Sequence, residues 1–281
     1  MFVGQAVPPA ANTMLPREHG AWAMLLLPYL CGLVLVGRWH WSVVPATAAL
    51  LSVFLIRQPL VVLGRQHWVW TQTRPESAVA KRWLGALLLV LLLTATALAG
   101  RWGWPLLGLF AAGAFALTCL AVWMTLRNRQ RSVWLQAISA AGLTASALAA
   151  SVSATGELRP WSWWLWGLSA AHSTAAVLVV HHRLELRIAL KSATAEAPRF
   201  RRAAFAAQFV LLAAGLVLLG AKPWLAPALM ISALAHLWDL AAIRSAQGLQ
   251  TPLRIVGLRA LALHVVFSAL VTVGLLCDGA P

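Results

Sequence analysis

The sequence predicts an all-α, polytopic membrane protein with nine transmembrane helices, its N-terminus inside and its C-terminus outside. Three observations predict it: composition, the spacing of apolar runs, and the placement of Lys and Arg. Of 281 residues, 61% are hydrophobic and only 10% charged, too few polar side chains to cover a water-soluble surface. The formal charge of +15 would point to nucleic acid in a soluble protein. In a membrane protein it reflects the gathering of Lys and Arg in cytoplasmic loops, so no nucleic-acid partner is expected. Cys31, Cys119 and Cys277 are scattered and form no CxxC or CxxCH motif, which gives no support to a disulfide, a zinc site or covalently attached haem.

Nine apolar segments lie between charged or turn-rich breaks: 20–37, 41–63, 83–100, 104–126, 132–153, 160–182, 203–221, 223–243 and 256–277. Each has the roughly 17–25 residues that a bilayer requires. None alternates with period two, so helices are expected to satisfy the backbone within the hydrocarbon. With the N-terminus inside, only Arg38, Arg101, Arg159 and Lys222 face outward, and the other 18 of the 22 basic residues fall on the inner side. Tryptophans mark the same boundaries. Trp39, Trp41, Trp102, Trp104, Trp161, Trp163 and Trp224 fall at outer ends, and Trp68, Trp70, Trp83, Trp123 and Trp134 at inner ends, as an interfacial belt would place them. The fifth span is rich in small residues, which allow close helix approach.

Residues 1–13 lack a signal-peptide pattern and read as a short cytoplasmic tail, with residues 14–281 forming one transmembrane domain. Two inner connections are long, 64–82 and 183–202. In the second, Arg183, Arg187 and Lys191 recur every four residues, as on one face of a helical extension meeting anionic headgroups. Residues 193–198 read as a flexible turn.

The chain's oddest stretch is Pro16-Arg17-Glu18-His19-Gly20-Ala21-Trp22-Ala23-Met24, where three ionisable residues enter the first apolar run. Pro16 suits a first helical turn, and the helix dipole explains an acid there but not the whole motif. Continued to Pro28, as PREHGAWAMLLLP, this stretch resembles the N-terminal signature of the YwiC-like family of integral membrane proteins. The resemblance covers about one-twentieth of the chain and names a group of proteins, not a reaction.

Ionisable groups within the hydrocarbon are costly and therefore mark candidate sites. Arg57 follows sixteen uncharged residues in the second span, with Gln58 beside it. Asp239 stands near the inner end of the eighth span, one turn after His236. His172 lies mid-way along the sixth span, His181-His182-Arg183 at its inner end, and His264 midway along the ninth. A structural ion pair between Asp239 and Arg57 is one reading, and snorkelling of Arg57 to the inner interface another. The functional reading is a cytoplasm-facing basic pocket lined by Arg17, Glu18, His19, Trp22, Arg57, Gln58, His172, His181, His182, His236 and Asp239. Glu18, His19 or Asp239 would move protons if the site is catalytic.

Nine helices with long inner connections after the second and sixth resemble the plan of UbiA-type prenyltransferases, in which those connections carry aspartate-rich magnesium motifs. Here Arg57-Gln58-Pro59 and His181-His182-Arg183-Leu184-Glu185 occupy the corresponding regions, and the chain has only Asp239 and Asp278. Magnesium wants carboxylate and phosphate oxygens, so no such metal site is expected. Arginine holds anions directly, and the expected ligand is an isoprenoid-type or other anionic-headed lipid. Two alternatives stand beside this reading. One is a transporter or assembly factor; the other is a redox protein with quinone, or with haem held between His172 and His264. The expected location is a bacterial-type inner membrane, with membrane lipids as partners.

Overall fold

The computed structural model describes residues 14–16, 19–72, 74–192, 199–243 and 245–279. Residues 1–13, Arg17, Glu18 and residues 193–198, where the sequence suggested a tail and a turn, lie outside the described residues, as do the side chains of His19, Lys191 and Ser192. The described elements are helical: α1 His19–Val36, α2 Val43–Trp68, α3 Glu76–Leu126, α4 Val133–Thr144, α5 Ser146–Thr155, α6 Pro160–Ser192, α7 Arg201–Ala221, α8 Ala226–Ala242, α9 Ala246–Gln250 and α10 Leu253–Cys277. Six helical stretches are long and apolar enough to cross a membrane, and Gly20–Val36 and Ala226–Ala242 are shorter apolar helices.

Helix α3 has 51 residues and would run about 76 Å if straight, more than twice a hydrocarbon core of about 30 Å. It breaks at Gly103, whose φ of 69° and ψ of 152° only glycine adopts readily. Pro105 then sits in the first turn of the second half, where its missing N–H costs nothing. Trp102 and Phe110 meet edge-on at 5.0 Å, although eight residues of straight helix would separate them by about 12 Å. The chain thus turns at Gly103, and α3 supplies the third and fourth apolar segments. The fifth is α4 and α5 together, interrupted at Ala145. All nine segments read from the sequence are therefore helical among the described residues. The short α9 was not foreseen.

The helices divide into two compact units. One comprises residues up to His19 together with His40–Arg131; the other comprises Gly20–Trp39 and Ser132–Pro281.

The first unit is built from α2 and the two halves of α3. Met14 is 1% exposed and packs with Val62 of α2 and Ala80 of α3, anchoring the start of the signature stretch. Gln66 closes the α2–α3 connection: its carbonyl accepts from Arg74 N (3.0 Å) and Ser77 Oγ (2.8 Å), and its amide donates to Gln72 O (3.1 Å). Leu88, Leu89, Leu92, Leu93 and Phe115 are exposed, as lipid-facing side chains should be.

The second unit packs α1 with α4–α8 and α10. Ser146 through Ala154 of α5 are all buried. A Cβ on Gly32 of α1 would come within 2.7 Å of Ala150 Cβ, and Ser146 Oγ donates to Leu25 O at 2.7 Å. The small residues of the fifth span thus bring two backbones together, as expected. Trp39, Trp163 and Trp224 are exposed here, whereas Trp161 is 3% exposed and belongs to the core with Leu165, Leu229 and Phe267.

Candidate functional site

Helix α6 sets the site's scale. From Arg159, just before it, to Arg183 near its far end is about 36 Å of helix. His172 lies near the midpoint, at the depth where an unpartnered polar group costs most.

At that midpoint three imidazoles meet. His172 of α6 is 1% exposed, and His236 of α8 and His264 of α10 are each 6% exposed. The His172 ring centre lies 5.0 Å from that of His264 and 5.7 Å from that of His236, and it stacks on Phe267 at 4.1 Å and 9°. His172 Nδ1 and Ser232 Oγ share a hydrogen bond of 2.6 Å. Ser232 is one turn before His236 on α8, so one helix face supplies both contacts to His172. The Nε2 atoms of His236 and His264 are buried with no protein hydrogen-bond partner, as are the hydroxyls of Ser169, Ser173 and Ser268.

One turn beyond His236, Asp239 forms an ion pair with Arg183 of α6, at 3.5 Å. The Asp239 partner is therefore Arg183. The pairing with Arg57 suggested by the sequence is corrected: Arg57 Nη2 donates instead to Thr125 Oγ1 at 3.2 Å within the first unit. The Arg183 side chain is only 4% exposed, and its Nε has no partner. Its Nη2 also reaches Gly248 O at 3.5 Å, while Arg187 donates to Leu249 O (2.9 Å) and to Thr251 O.

This corrects a second expectation. Arg183 and Arg187 do not line an outward stripe of the helical extension; their guanidiniums are turned onto the carbonyls of α9 and the residue after it, within the second unit. The connection can lie there because Gly248 comes so close to α8 that a Cβ would fall 2.0 Å from Ala242 O. Arg259 of α10 is near enough to act electrostatically on Arg183. Arg183 thus has one carboxylate partner and two further guanidinium groups close enough to repel it.

The remaining candidates have separate roles. His181 Nε2 bonds Gln136 Oε1 at 3.0 Å, and its ring meets Phe200 edge-on. His182 is buried with Nδ1 unpartnered. Glu185 accepts from Phe200 N at 3.0 Å and fixes the entry to α7. Trp22 lies in the second unit and is half-buried; Gln58 is half-buried in the first. Glu18 and Arg17 lie outside the described residues, and His19 is described only as the first residue of α1. Of the lining read from the sequence, the structure brings together His172, His236 and Asp239. Ser232, Arg183, Arg187 and Arg259 were missed as site residues, although Ser232 stands four residues before His236 and Arg183 four before Arg187.

Haem cannot lie between His172 and His264 in this arrangement. Two iron–nitrogen bonds of about 2 Å and half a ring on each side need ring centres roughly 6 Å apart. The rings are 5.0 Å apart and tilted by 39°. Among the described residues, no group of three or more His, Cys, Asp or Glu is arranged to hold a metal ion. A cleft of about 400 Å³ lies at the opposite end of α6 from Arg183, lined by Val36, Arg38, Thr155, Arg159 and Trp161.

These features define an integral, multi-pass helical membrane protein with a polar core inside its second unit. A family model described as YwiC-like protein matches residues 15–152, and this places that stretch of the chain in the YwiC-like family. The match takes in the first unit, α1, α4 and most of α5; His172, Arg183, His236, Asp239 and His264 all lie beyond it. No curated protein and no solved structure matches the chain.

Proposed function

We propose that this protein binds the anionic head of a membrane amphiphile, of isoprenoid or other lipid type, at the Arg183–Arg187–Arg259 cluster. The single observation behind this reading is the imbalance at Arg183. A guanidinium 4% exposed has one carboxylate at 3.5 Å, two further arginines nearby, and a buried Nε–H with no acceptor. A buried cation with spare donors is costly to leave unmet, and a phosphate or carboxylate head would meet it with charge-assisted bonds. The apolar surroundings of α6, α8 and α10 suit the tail. Arginine recognises such a head without magnesium, in keeping with the missing aspartate motifs. In this reading the cluster faces the cytoplasmic side of an inner membrane. Asp239 is the group placed to exchange a proton with the head, and Glu18 and His19 remain candidates for the same role.

The test is ligand-dependent stabilisation of the full chain in neutral detergent. A long-chain alkyl phosphate should raise the unfolding midpoint by several degrees, the matching alcohol should not, and Arg187→Gln should remove most of the difference. Equal effects of phosphate and alcohol would overturn the reading.

A further inference from the structure

We propose that the second unit carries a proton relay, with His264, His172 and His236 passing protons to Asp239. The inference stands on the geometry of the histidines and does not rest on what the arginines bind.

Three imidazoles from three different helices, with His172 beside both of the others, are an expensive way to fill a core. A phenyl ring such as Phe267, already stacked on His172, would pack as well without six ring nitrogens to satisfy. Imidazole has a property that phenyl lacks: it can accept a proton on one ring nitrogen while releasing one from the other. Ring centres at 5.0 and 5.7 Å leave neighbouring imidazoles close enough for a single water to bridge them, although they are not hydrogen-bonded to each other directly. Ser232 Oγ, at 2.6 Å from His172 Nδ1, both donates and accepts and keeps that ring oriented. The unpartnered Nε2 atoms of His236 and His264 give the chain two open ends.

Each end leads somewhere. His236 is one turn from Asp239, whose side chain is 28% exposed beside Arg183, so a proton leaving the cluster arrives at a carboxylate that the protein does not seal off. On α10, Ser268 and Thr272 follow His264 at intervals of four residues, on the same face and toward the opposite end of the unit. Thr272 Oγ1 and Cys31 Sγ both meet Ser268 O, at 2.8 and 3.7 Å. The charged and titratable groups around this path are few. Helix α6 presents Arg183 and Arg187, α8 presents Asp239, α10 presents Arg259 and α1 presents Cys31, while α7 contributes uncharged Gln208, which bonds Ala175 O. Every hop moves one proton between neutral and protonated imidazole, and the last leaves it on an Asp239 oxygen, so no oxidant or co-reactant is needed.

The experiment uses the full chain in phosphatidylcholine–phosphatidylglycerol vesicles with a trapped pH-sensitive dye and a potassium diffusion potential. The expected result is proton flux at least tenfold above protein-free vesicles. His172→Phe, which keeps the stack on Phe267, should return flux to background, and Ser232→Ala should slow it several-fold. His172→Phe should lose flux while keeping its stabilisation by long-chain alkyl phosphate, which separates this inference from the lipid-head reading. If His172→Phe does not yield monodisperse protein, Ser232→Ala and His264→Gln decide the matter. Wild-type flux equal to protein-free vesicles, or variants equal to wild type, would overturn the relay.

Discussion

The two units use the same apolar alphabet for different ends. In the first, most polar groups sit at helix ends or are closed by a near neighbour: Gln66 ties the α2–α3 connection, Thr125 takes Arg57, and the Arg74 and Arg127 guanidiniums lie over Trp70 and Trp123 at 4.4 and 4.6 Å, while Glu76 Oε2 and Trp102 Nε1 are buried without a protein partner. In the second, His172, His236, His264, Arg183 and Gln208 are buried, and several of their polar atoms lack protein partners. One unit resembles a scaffold for lipid; the other encloses polar groups at a cost that calls for a use. The family match stops before that polar core, so what is shared over residues 15–152 is mostly the less polar part.

The largest expected effect lies in the second unit. Asp239→Ala leaves Arg183 buried without its carboxylate and should cost on the order of 3 kcal/mol, read as a lowered unfolding midpoint in detergent. Replacing both partners, with Arg183→Met and Asp239→Leu together, should cost less than Asp239→Ala alone, because no orphan charge remains. A smaller effect is expected at Gly274, where a Cβ would lie 2.5 Å from Trp224 O and 2.9 Å from Leu225 Cδ2. Backbone must move there, so Gly274→Ala should cost about 2 kcal/mol by the same assay.

The first unit should be more forgiving. Thr125→Val removes the bonds to Arg57 Nη2 and Ala121 O and should cost about 1 kcal/mol. Gly64→Ala should cost less than about 1 kcal/mol, since its Cβ meets the methyl ends of Leu126, at 2.9 and 3.1 Å, which can turn aside. If the first-unit substitutions prove as damaging as Asp239→Ala, the contrast between scaffold and polar core does not hold.

Much of the fold was legible because hydrocarbon imposes length and the interface attracts tryptophan. The turn within α3 could be read from Arg101, Gly103 and Pro105, a cluster that no apolar helix would carry through its middle. Hydropathy gave no sign that α1 packs with α4–α10, since one apolar run looks like another and tertiary contacts such as Gly32 with Ala150 and Ser146 with Leu25 join them. The site was legible in part. Depth alone aligned His172 with His264 and put His236 beside Asp239. Which cation met Asp239 was not legible, because Arg57 and Arg183 stand at similar depth and only tertiary packing distinguishes them. The i, i+4 spacing of Arg183 and Arg187 is the same whether the face meets lipid phosphate or the carbonyls of α9. Residue Gly248, which lets that connection lie against α8, carries no such message in a single sequence.

The convergence of three helices on one imidazole is the claim everything else needs. Histidine-labelled full-length protein in bilayers, studied by solid-state NMR, tests it directly. Side-chain transfer from His172 to both His264 and His236 is expected, with these three and the buried His182, of the eight histidines, shielded from a water-soluble paramagnetic quencher. If His172 showed no transfer to either neighbour, or if all eight were quenched alike, the buried cluster would be contradicted.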